Sequence, residues 1–205
     1  MTDTSPSLLR LLEALRQGDA KAQGELLLRY QPWLKLLARL QIDTRFQGKF
    51  SDSDIVQQTL LEAYRDLPKF RGRTEAELLA WLRQVLAHVL AHEIRRYHGT
   101  QQRDVDREVS LEEALAQSSQ RLAGVLATSG SSPSAQAAER EQEVLLADVL
   151  AQLPDDYREV IILRNLEGLS HEEVARRMGR GVGAARMLWV RALARLKLSL
   201  STEPP

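Results

Sequence analysis

The sequence contains no cysteine, which excludes disulfide bonds and thiolate metal sites. Aromatic residues are scarce at 5%, and the formal net charge is zero because 28 basic residues match 28 acidic ones. No apolar run approaches the length of a membrane span, and charges at Arg10 and Glu13 interrupt the leucines near the N-terminus, so no signal peptide is expected. These absences predict a cytoplasmic protein without membrane spans or disulfides.

Recognisable catalytic motifs are also absent from the sequence. The chain shows no Gly-rich phosphate loop, no Ser-His-Asp spacing and no paired catalytic carboxylates. His88 and His92 have the i, i+4 spacing of metal ligands on a helix, but a zinc enzyme would carry Glu where Val89 stands. Glu93 and His98 are near in sequence, yet no third ligand is obvious. We therefore expect no enzymatic activity, no metal and no cofactor.

The apolar residues that are present recur with helical spacing, and no convincing alternation typical of strands is found. The sequence predicts an all-α fold of two small helical domains joined by a flexible linker, the C-terminal domain being a helix-turn-helix. The predicted boundaries are a disordered N-terminus at 1–7, a first domain at 8–103, a linker at 104–139 and a second domain at 140–200.

Local signals define the helices of the first domain. Pro32 is expected to kink or split the helix that contains it. Ser51 with Asp54, and Thr74 with Glu77, have the spacing of capping boxes and predict two helix starts. The predicted core positions are Leu26, Leu27, Tyr30, Trp33, Leu34, Leu37, Leu40, Ile55, Leu60, Tyr64, Leu67, Leu78, Trp81, Leu82, Val85, Leu86, Val89 and Ile94.

Residues 104–139 differ in composition from the segments on either side. Large apolar side chains are few, and Ser129–Ser134 is rich in serine and glycine. This composition predicts a linker with one short helix at Leu111–Gln117. The second domain begins near Arg140, and Pro154 is expected to break its first helix.

The stretch 168–198 has the pattern of a helix-turn-helix. Ser170 and Glu173 form a third predicted capping box, and Gly179 is expected to end the first helix. The two glycines within 180–183 predict the turn, because glycine adopts backbone angles that other residues avoid. The second helix is predicted at 184–198, with a buried stripe of Ala185, Trp189, Ala192 and Leu196.

Positive charge is concentrated in the same stretch. Seven basic and two acidic side chains give it a net charge of +5 in a chain that is neutral overall. A basic patch of this kind is what attraction to nucleic-acid phosphates requires. The competing interpretation is an amphipathic helical hairpin with a solvated arginine face. The basic residues are Arg176, Arg177, Arg180, Arg186, Arg191, Arg195 and Lys197.

Two separate parts of the chain carry the motifs of one family. In the C-terminal part these are Leu153-Pro154, Arg158-Glu159-Val160, Leu163-Arg164, Gly168-Leu169-Ser170, Glu173-Val174-Ala175, Gly183, Arg186, Arg191-Ala192 and Leu196. In the N-terminal part they are Asp54–Thr59, Phe70-Arg71-Gly72, Trp81-Leu82 and Arg95-Arg96. With both sets in this order, the chain resembles a bacterial extracytoplasmic-function (ECF) sigma factor, a promoter-recognition subunit of RNA polymerase.

The resemblance implies that the C-terminal domain reads the −35 promoter element, with its second helix in the major groove. Arginine can bind guanine bidentately, and methionine and valine can pack on thymine methyl groups. The DNA-contacting residues that the resemblance implies are Arg164, Ser170, His171, Arg186, Met187, Val190 and Arg191.

The resemblance also implies that the N-terminal domain binds the clamp of the largest polymerase subunit and opens the −10 element, where a loop receives a flipped base. The implied −10 contacts are Lys69, Phe70, Arg71, Arg73, His88, His92, Arg95 and Arg96. The implied polymerase contacts are Asp54, Gln57, Gln58 and Leu61. The implied partners are core RNA polymerase, double-stranded and melted promoter DNA and, as often in this family, an anti-sigma factor.

Some positions depart from the family pattern and leave the promoter sequence open. His88 and His92 stand where Asn and Asp are usual, and Leu188 stands at a commonly basic position. The main alternative function is a conventional two-domain regulator with a similar helix-turn-helix, and a protein-binding helical adaptor is another. Such a regulator often begins with an α/β sensing domain, of which residues 8–103 give no sign.

Overall fold

The computed structural model describes residues 10–14, 17–41, 51–98, 105–128 and 136–202. Within these ranges the chain forms helices and no strand, so the predicted all-α fold is confirmed. No helix there combines the length and the apolar composition needed to cross a membrane. The predicted N-terminus at 1–7 and the serine- and glycine-rich stretch at 129–134 lie outside the described residues.

The helices follow one another with short connections. Residues 10–14 are helical. The helices that follow are α1 (Ala20–Arg29), α2 (Gln31–Gln41), α3 (Asp52–Asp66), α4 (Glu75–His98), α5 (Val105–Thr128), α6 (Gln136–Gln152), α7 (Asp155–Ile161), α8 (His171–Arg177) and α9 (Val182–Thr202). A 3-10 turn, Leu67–Lys69, follows α3, and a π turn, Ile162–Leu166, follows α7. The chain divides into two compact units, Met1–Ser119 with Ala135–Glu141, and Gln120–Ser134 with Gln142–Pro205.

The core of the first unit is built by α1 to α4 around Tyr30 and Trp33, which are fully buried. The predicted helix containing Pro32 is split at Tyr30, and the proline lies in the first turn of α2, where its missing N–H costs no hydrogen bond. The predicted core residues Leu26, Leu27, Leu34, Leu37, Ile55, Leu67, Leu78, Leu82, Leu86, Val89 and Ile94 are buried.

Tyr64 was predicted in this core, but 43% of it is exposed. The buried stripe of α3 runs through Ile55, Thr59 and Ala63 instead, and the small Thr59 and Ala63 are completely buried. A search for large apolar residues at helical spacing does not select these positions, because their buried side chains are small. Tyr64 therefore lies beside the stripe and faces solvent.

The second unit packs α7 and α8 against α9, and Val144, Leu146, Val149 and Leu150 of α6 are also buried. Val160–Leu163 is buried, as are Val174, Ala185, Ala192 and Leu196. Pro154 caps α7 after breaking α6 as predicted, and Asp155 and Asp156 lie in the first turn of α7, where negative charge complements the helix dipole.

The interval predicted as a linker with one short helix is more helical than expected. The predicted helix Leu111–Gln117 lies inside the longer α5, and α6 begins at Gln136, within the same interval. The helical periodicity of apolar residues in this interval is weak, because the buried face of α5 includes Ser118 and Ser119 between Leu115 and Leu122. In the first unit, Gln41 Nε2 donates to Ser118 Oγ (3.0 Å), which supplies the partner that a buried hydroxyl needs.

Candidate nucleic-acid interface

α8, the first helix of the helix-turn-helix, is fixed at its start by local hydrogen bonds. Ser170 Oγ accepts from the Glu173 backbone N–H (3.2 Å), and Glu173 Oε2 accepts from the Ser170 N–H (2.8 Å), so the predicted capping box is present. The capping boxes predicted at Ser51 and Thr74 are present as well. These boxes satisfy backbone donors that would otherwise lack partners at helix starts.

The turn between α8 and α9 uses a different glycine from the ones predicted. Gly179 has φ +62°, while Gly181 and Gly183 do not adopt positive φ. The Arg180 N–H donates to Ala175 O (2.9 Å) and the Gly179 N–H to Arg176 O (3.3 Å), which is the Schellman pattern of a helix end. Because Gly179 alone reverses the chain, α9 begins at residue 182, two residues before the predicted start.

α9 has one buried and one exposed face, in the predicted arrangement. Ala185, Ala192 and Leu196 are fully buried and Trp189 is half-buried, which confirms the predicted stripe. Arg186 and Arg191 are exposed, and so are the apolar Met187 and Val190, at 53% and 47%. Exposed methionine and valine between two arginines form a surface that combines hydrogen-bond donors with apolar contact area.

A cluster beneath this exposed face was not predicted. Trp189 Nε1 donates to Asn165 Oδ1 in the π turn (2.9 Å). The His171 ring meets the Trp189 ring edge to face, with centroids 5.3 Å apart and an interplanar angle of 70°. Sequence reasoning placed Trp189 in the apolar stripe only, because its polar partners lie on other elements at distant sequence positions.

His171 and Arg164 lie close to Arg186 in the second unit. Burial, and then the positive charges of Arg164 and Arg186, lower the pKa of the His171 imidazole, which favours its neutral form. Arg164 is half-buried and its Nη1 donates to Leu169 O (3.1 Å). The structure therefore brings together three of the predicted DNA-contacting side chains. They come from the π turn (Arg164), the start of α8 (His171) and the N-terminal part of α9 (Arg186).

Not all of the basic residues in the helix-turn-helix carry uncompensated charge. Arg177 pairs with Glu167 at 2.6 Å, and Arg180 pairs with Asp156 at 2.5 Å. Both acidic partners lie outside the stretch 168–198 from which the charge of +5 was counted. The positive field of this surface is therefore weaker than the sequence count suggests, and Arg186 and Arg191 are the exposed cations that lie on the same face of α9 as Met187 and Val190.

In the first unit, the loop between α3 and α4 is shaped by an aromatic pair. The Phe70 and Trp81 rings have centroids 5.3 Å apart. A Cβ atom added at Gly72 would meet the Phe70 ring at 2.2 Å, so the ring also lies against the glycine backbone. Arg71 is exposed, with Nη1 donating to Pro68 O (2.9 Å), and Arg73 is exposed as well. Phe70 thus stabilises the conformation of the loop, while the side chains of Arg71 and Arg73 are exposed to solvent.

The start of α4 is anchored by a buried bond that the sequence did not reveal. Tyr30 Oη donates to Glu75 Oε1 at 2.8 Å, and both residues are buried. Glu75 is the first residue of α4 and therefore ties the loop before it to the core of the unit. A glutamate beside a capping box is an ordinary solvent-facing residue by pattern, so no sequence signal indicated this role.

The predicted basic face of α4 is largely exposed. His88, His92 and Arg96 are exposed, and Arg95 is half-buried. Glu93 contacts both His92 and Arg96 at 3.5 Å. Lys69, in the loop before α4, pairs with Asp66 at 2.6 Å. Across the described residues, no group of three potential metal ligands forms around the two histidines.

The predicted polymerase-contacting residues lie along α3, beside an apolar groove of about 380 Å³. Gln57 and Gln58 are exposed, and Leu61 is 53% exposed. Asp54 also caps α3 by accepting from the Ser51 N–H (3.2 Å). The groove lies between α1 and α3 and is lined by Gly24, Leu27, Leu28, Gln57, Leu60, Leu61 and Tyr64.

Comparison with known proteins gives the same family for both halves of the chain. The family model "Sigma-70, region 4" matches residues 143–196. The chain is 31% identical over 200 residues to the ECF RNA polymerase sigma-E factor of Haemophilus influenzae, with 89% of each protein covered. It is 30% identical over 186 residues to the RNA polymerase sigma-H factor of Pseudomonas aeruginosa, covering 89% of this chain and 88% of that protein.

A solved structure, the sigma factor RpoE in complex with the anti-sigma factor NepR from Bartonella quintana, is also similar, at 23% identity. The match covers 88% of this chain and 97% of that one, with a TM-score of 0.32. The family assignment rests on the sequence relatives, which match nearly the whole chain. The chain belongs to the ECF sigma factors, which bind core RNA polymerase and direct transcription initiation at specific promoters.

Proposed function

We propose that α9 reads the −35 element from the major groove through Arg186, Met187, Val190 and Arg191. The observation that carries this proposal is the exposed face of α9, where two arginines flank two exposed apolar side chains. The arginines can donate two hydrogen bonds each to guanine, and the apolar pair can pack on thymine methyl groups. The buried stripe on the opposite side of the helix leaves this face outward.

Arg164, Ser170 and His171 have a second role in this proposal, as contacts that orient the domain on the duplex. Phosphate contacts of this kind fix register but carry no sequence information. Ser170 Oγ accepts the capping hydrogen bond from Glu173, and its own O–H remains able to donate to a phosphate. The Arg164 guanidinium keeps donors beyond the one used on Leu169, so it can serve the same purpose.

The first unit is proposed to hold the opened −10 element. His88, His92, Arg95 and Arg96 present a polar and basic face on the C-terminal half of α4, and Arg71 and Arg73 are exposed in the loop before this helix. Lys69 belongs to this surface, and Phe70 supports the loop in which a flipped base would be received. A groove of cations and a fitted pocket are what single strands and extruded bases require.

The polymerase contact is proposed on α3, through Asp54, Gln57, Gln58 and Leu61. The apolar groove beside these residues supports the proposal, because Leu28, Leu61 and Tyr64 line it and are all exposed. A contiguous exposed apolar patch marks an interaction site, whereas single exposed apolar residues do not. An anti-sigma factor that covered this groove would compete with polymerase. We further infer that the protein works in the cytoplasm, where the polymerase acts, and that it has no catalytic activity of its own.

The test of the −35 proposal compares two substitutions that remove one positive charge each from α9. Arg191→Ala should weaken promoter binding by the reconstituted holoenzyme by about 5- to 150-fold, the value of one good bidentate contact. Lys197→Ala is the matched control, because Lys197 is exposed on a different face of the same helix. Equal losses for both variants, or no loss for Arg191→Ala, would refute the role of Arg191. Co-elution with core polymerase should be unchanged in both.

A further inference from the structure

The N-terminal half of α9 packs inward through small side chains on either side of Trp189, and the larger Leu196 is buried further along the helix. Ala185 and Ala192 are fully buried and lie about one turn before and after Trp189. An alanine methyl protrudes little from a helix surface, so it forms only shallow ridges against its neighbours. These two positions therefore offer little resistance to rotation or sliding of the N-terminal half of α9.

Trp189 supplies the directional contacts that the alanines cannot. Its indole N–H donates to Asn165 Oδ1 at 2.9 Å, and its ring is held edge to face by His171. Asn165 belongs to the π turn and His171 opens α8, so both partners lie outside α9. A linear hydrogen bond and an edge-to-face aromatic contact each depend on distance and angle, unlike apolar burial.

We propose that Trp189, Asn165 and His171 form a positioning cluster that fixes the rotation and register of α9 and so sets base preference at the −35 element. This inference rests on the proposed reading of that element by α9. Trp189 directly precedes Val190 and Arg191, two of the four residues of the exposed face. A rotation of about 10° would move a side-chain tip about 6 Å from the helix axis by about 1 Å, and functional sites tolerate about half of that.

Asn165 is the informative member of the cluster because it acts through Trp189. What α9 requires from it is one acceptor oxygen at the right place. Asn165→Asp keeps that acceptor, whereas Asn165→Leu removes it at similar side-chain volume. Trp189→Phe removes the donor but keeps an aromatic ring against His171.

The experiment uses full-length protein bound to core RNA polymerase and a pool of promoter fragments randomised across the −35 element. Transcribed fragments are sequenced to obtain the base preference at each position. The variants are Trp189→Phe, Asn165→Leu and Asn165→Asp. Val149→Ala, which removes buried volume from α6, is the control for general destabilisation. Co-elution with core polymerase and thermal unfolding are measured for each.

For the wild type, one bidentate arginine contact should give about 5- to 150-fold preference for its base. We expect this preference to approach unity in Trp189→Phe and Asn165→Leu, with core binding retained, and to persist in Asn165→Asp and Val149→Ala. Wild-type preferences in both Trp189→Phe and Asn165→Leu would overturn the proposal, as would an equal change in Val149→Ala. If the wild-type protein showed no base preference at all, the proposal that α9 reads the −35 element would itself be overturned. This result can be told apart from failure of the positioning cluster, in which the wild-type preference is present and the variants keep it.

Discussion

His171 is the individual side chain whose environment is most clearly set by tertiary contacts. Its pKa is lowered by burial and by the charges of Arg164 and Arg186, while Glu172 acts in the opposite direction. The unfolded chain therefore binds a proton more readily than the folded one. The neutral imidazole contributes stability above its ordinary pKa of 6.5, and this contribution is lost as the pH falls through the lowered value.

We predict that the midpoint temperature of thermal unfolding decreases when the pH is lowered from about 7.5 to about 5.5. The decrease should be smaller in His171→Phe, which keeps a ring against Trp189. The pKa values of Glu77 and Glu173 are also lowered, because their carboxylates accept capping hydrogen bonds. Their contribution is lost only below the ordinary glutamate value of 4.5, so the chosen pH window excludes these two carboxylates. The same pH slope in wild type and variant would contradict this account of His171.

Among the helices and turns, features set by neighbouring residues could be predicted and features set by distant ones could not. The three capping boxes, the split at Pro32 and the stripe of α9 follow from residues within a few positions of each other. The hydrogen bonds Tyr30–Glu75 and Trp189–Asn165 each join residues on separate elements. The exposure of Tyr64 likewise depends on how neighbouring helices pack against α3. Sequence periodicity carries no information about which helix lies opposite.

The same distinction applies to the candidate site. Arg186, Met187, Val190 and Arg191 were predicted from motif alignment, and α9 does present them on one exposed face. The cluster beneath them was missed because hydrogen-bond partners on separate elements leave no spacing to detect. The turn glycine was misjudged because three glycines lie within five residues and only the backbone angles distinguish them.

Two glycine substitutions, one in the Schellman turn and one in the first turn of α9, test which glycine reverses the chain. Gly179 has φ +62°, so Gly179→Ala should destabilise the protein by about 1–2 kcal/mol, the cost of placing a side chain in the left-handed region. Gly183 lies in the first turn of α9, and an added Cβ would meet nothing within 4 Å. Gly183→Ala should therefore raise stability by about 0.5–1 kcal/mol, because alanine loses less backbone entropy in a helix.

Thermal and urea unfolding of the full-length variants measure both effects. Opposite signs are the expected result, and they would identify Gly179 as the residue that reverses the chain. If both alanine variants were equally destabilised, the turn would have to be formed differently, with positive φ at Gly183 as well.

For the molecule as a whole, the charge distribution indicates dependence on polymerase. The chain is neutral overall, and two arginines of the helix-turn-helix are paired with acidic side chains. Pairing of two of the seven cations reduces the number of counterions that this surface can release, so the free protein should bind promoter DNA less tightly, and with a smaller salt dependence, than seven unpaired cations would. Core polymerase would then provide much of the affinity, while the exposed face of α9, in the role that we propose for it, would provide the choice of promoter.

The most direct test of this account is run-off transcription with purified core RNA polymerase, this protein and a pool of genomic fragments from its source organism. The account predicts discrete transcripts that need both components, with shared −35 and −10 sequences upstream of their starts. Absence of transcripts together with absence of co-elution with core polymerase would contradict the central claim. That result would favour a conventional helix-turn-helix regulator that binds DNA without polymerase.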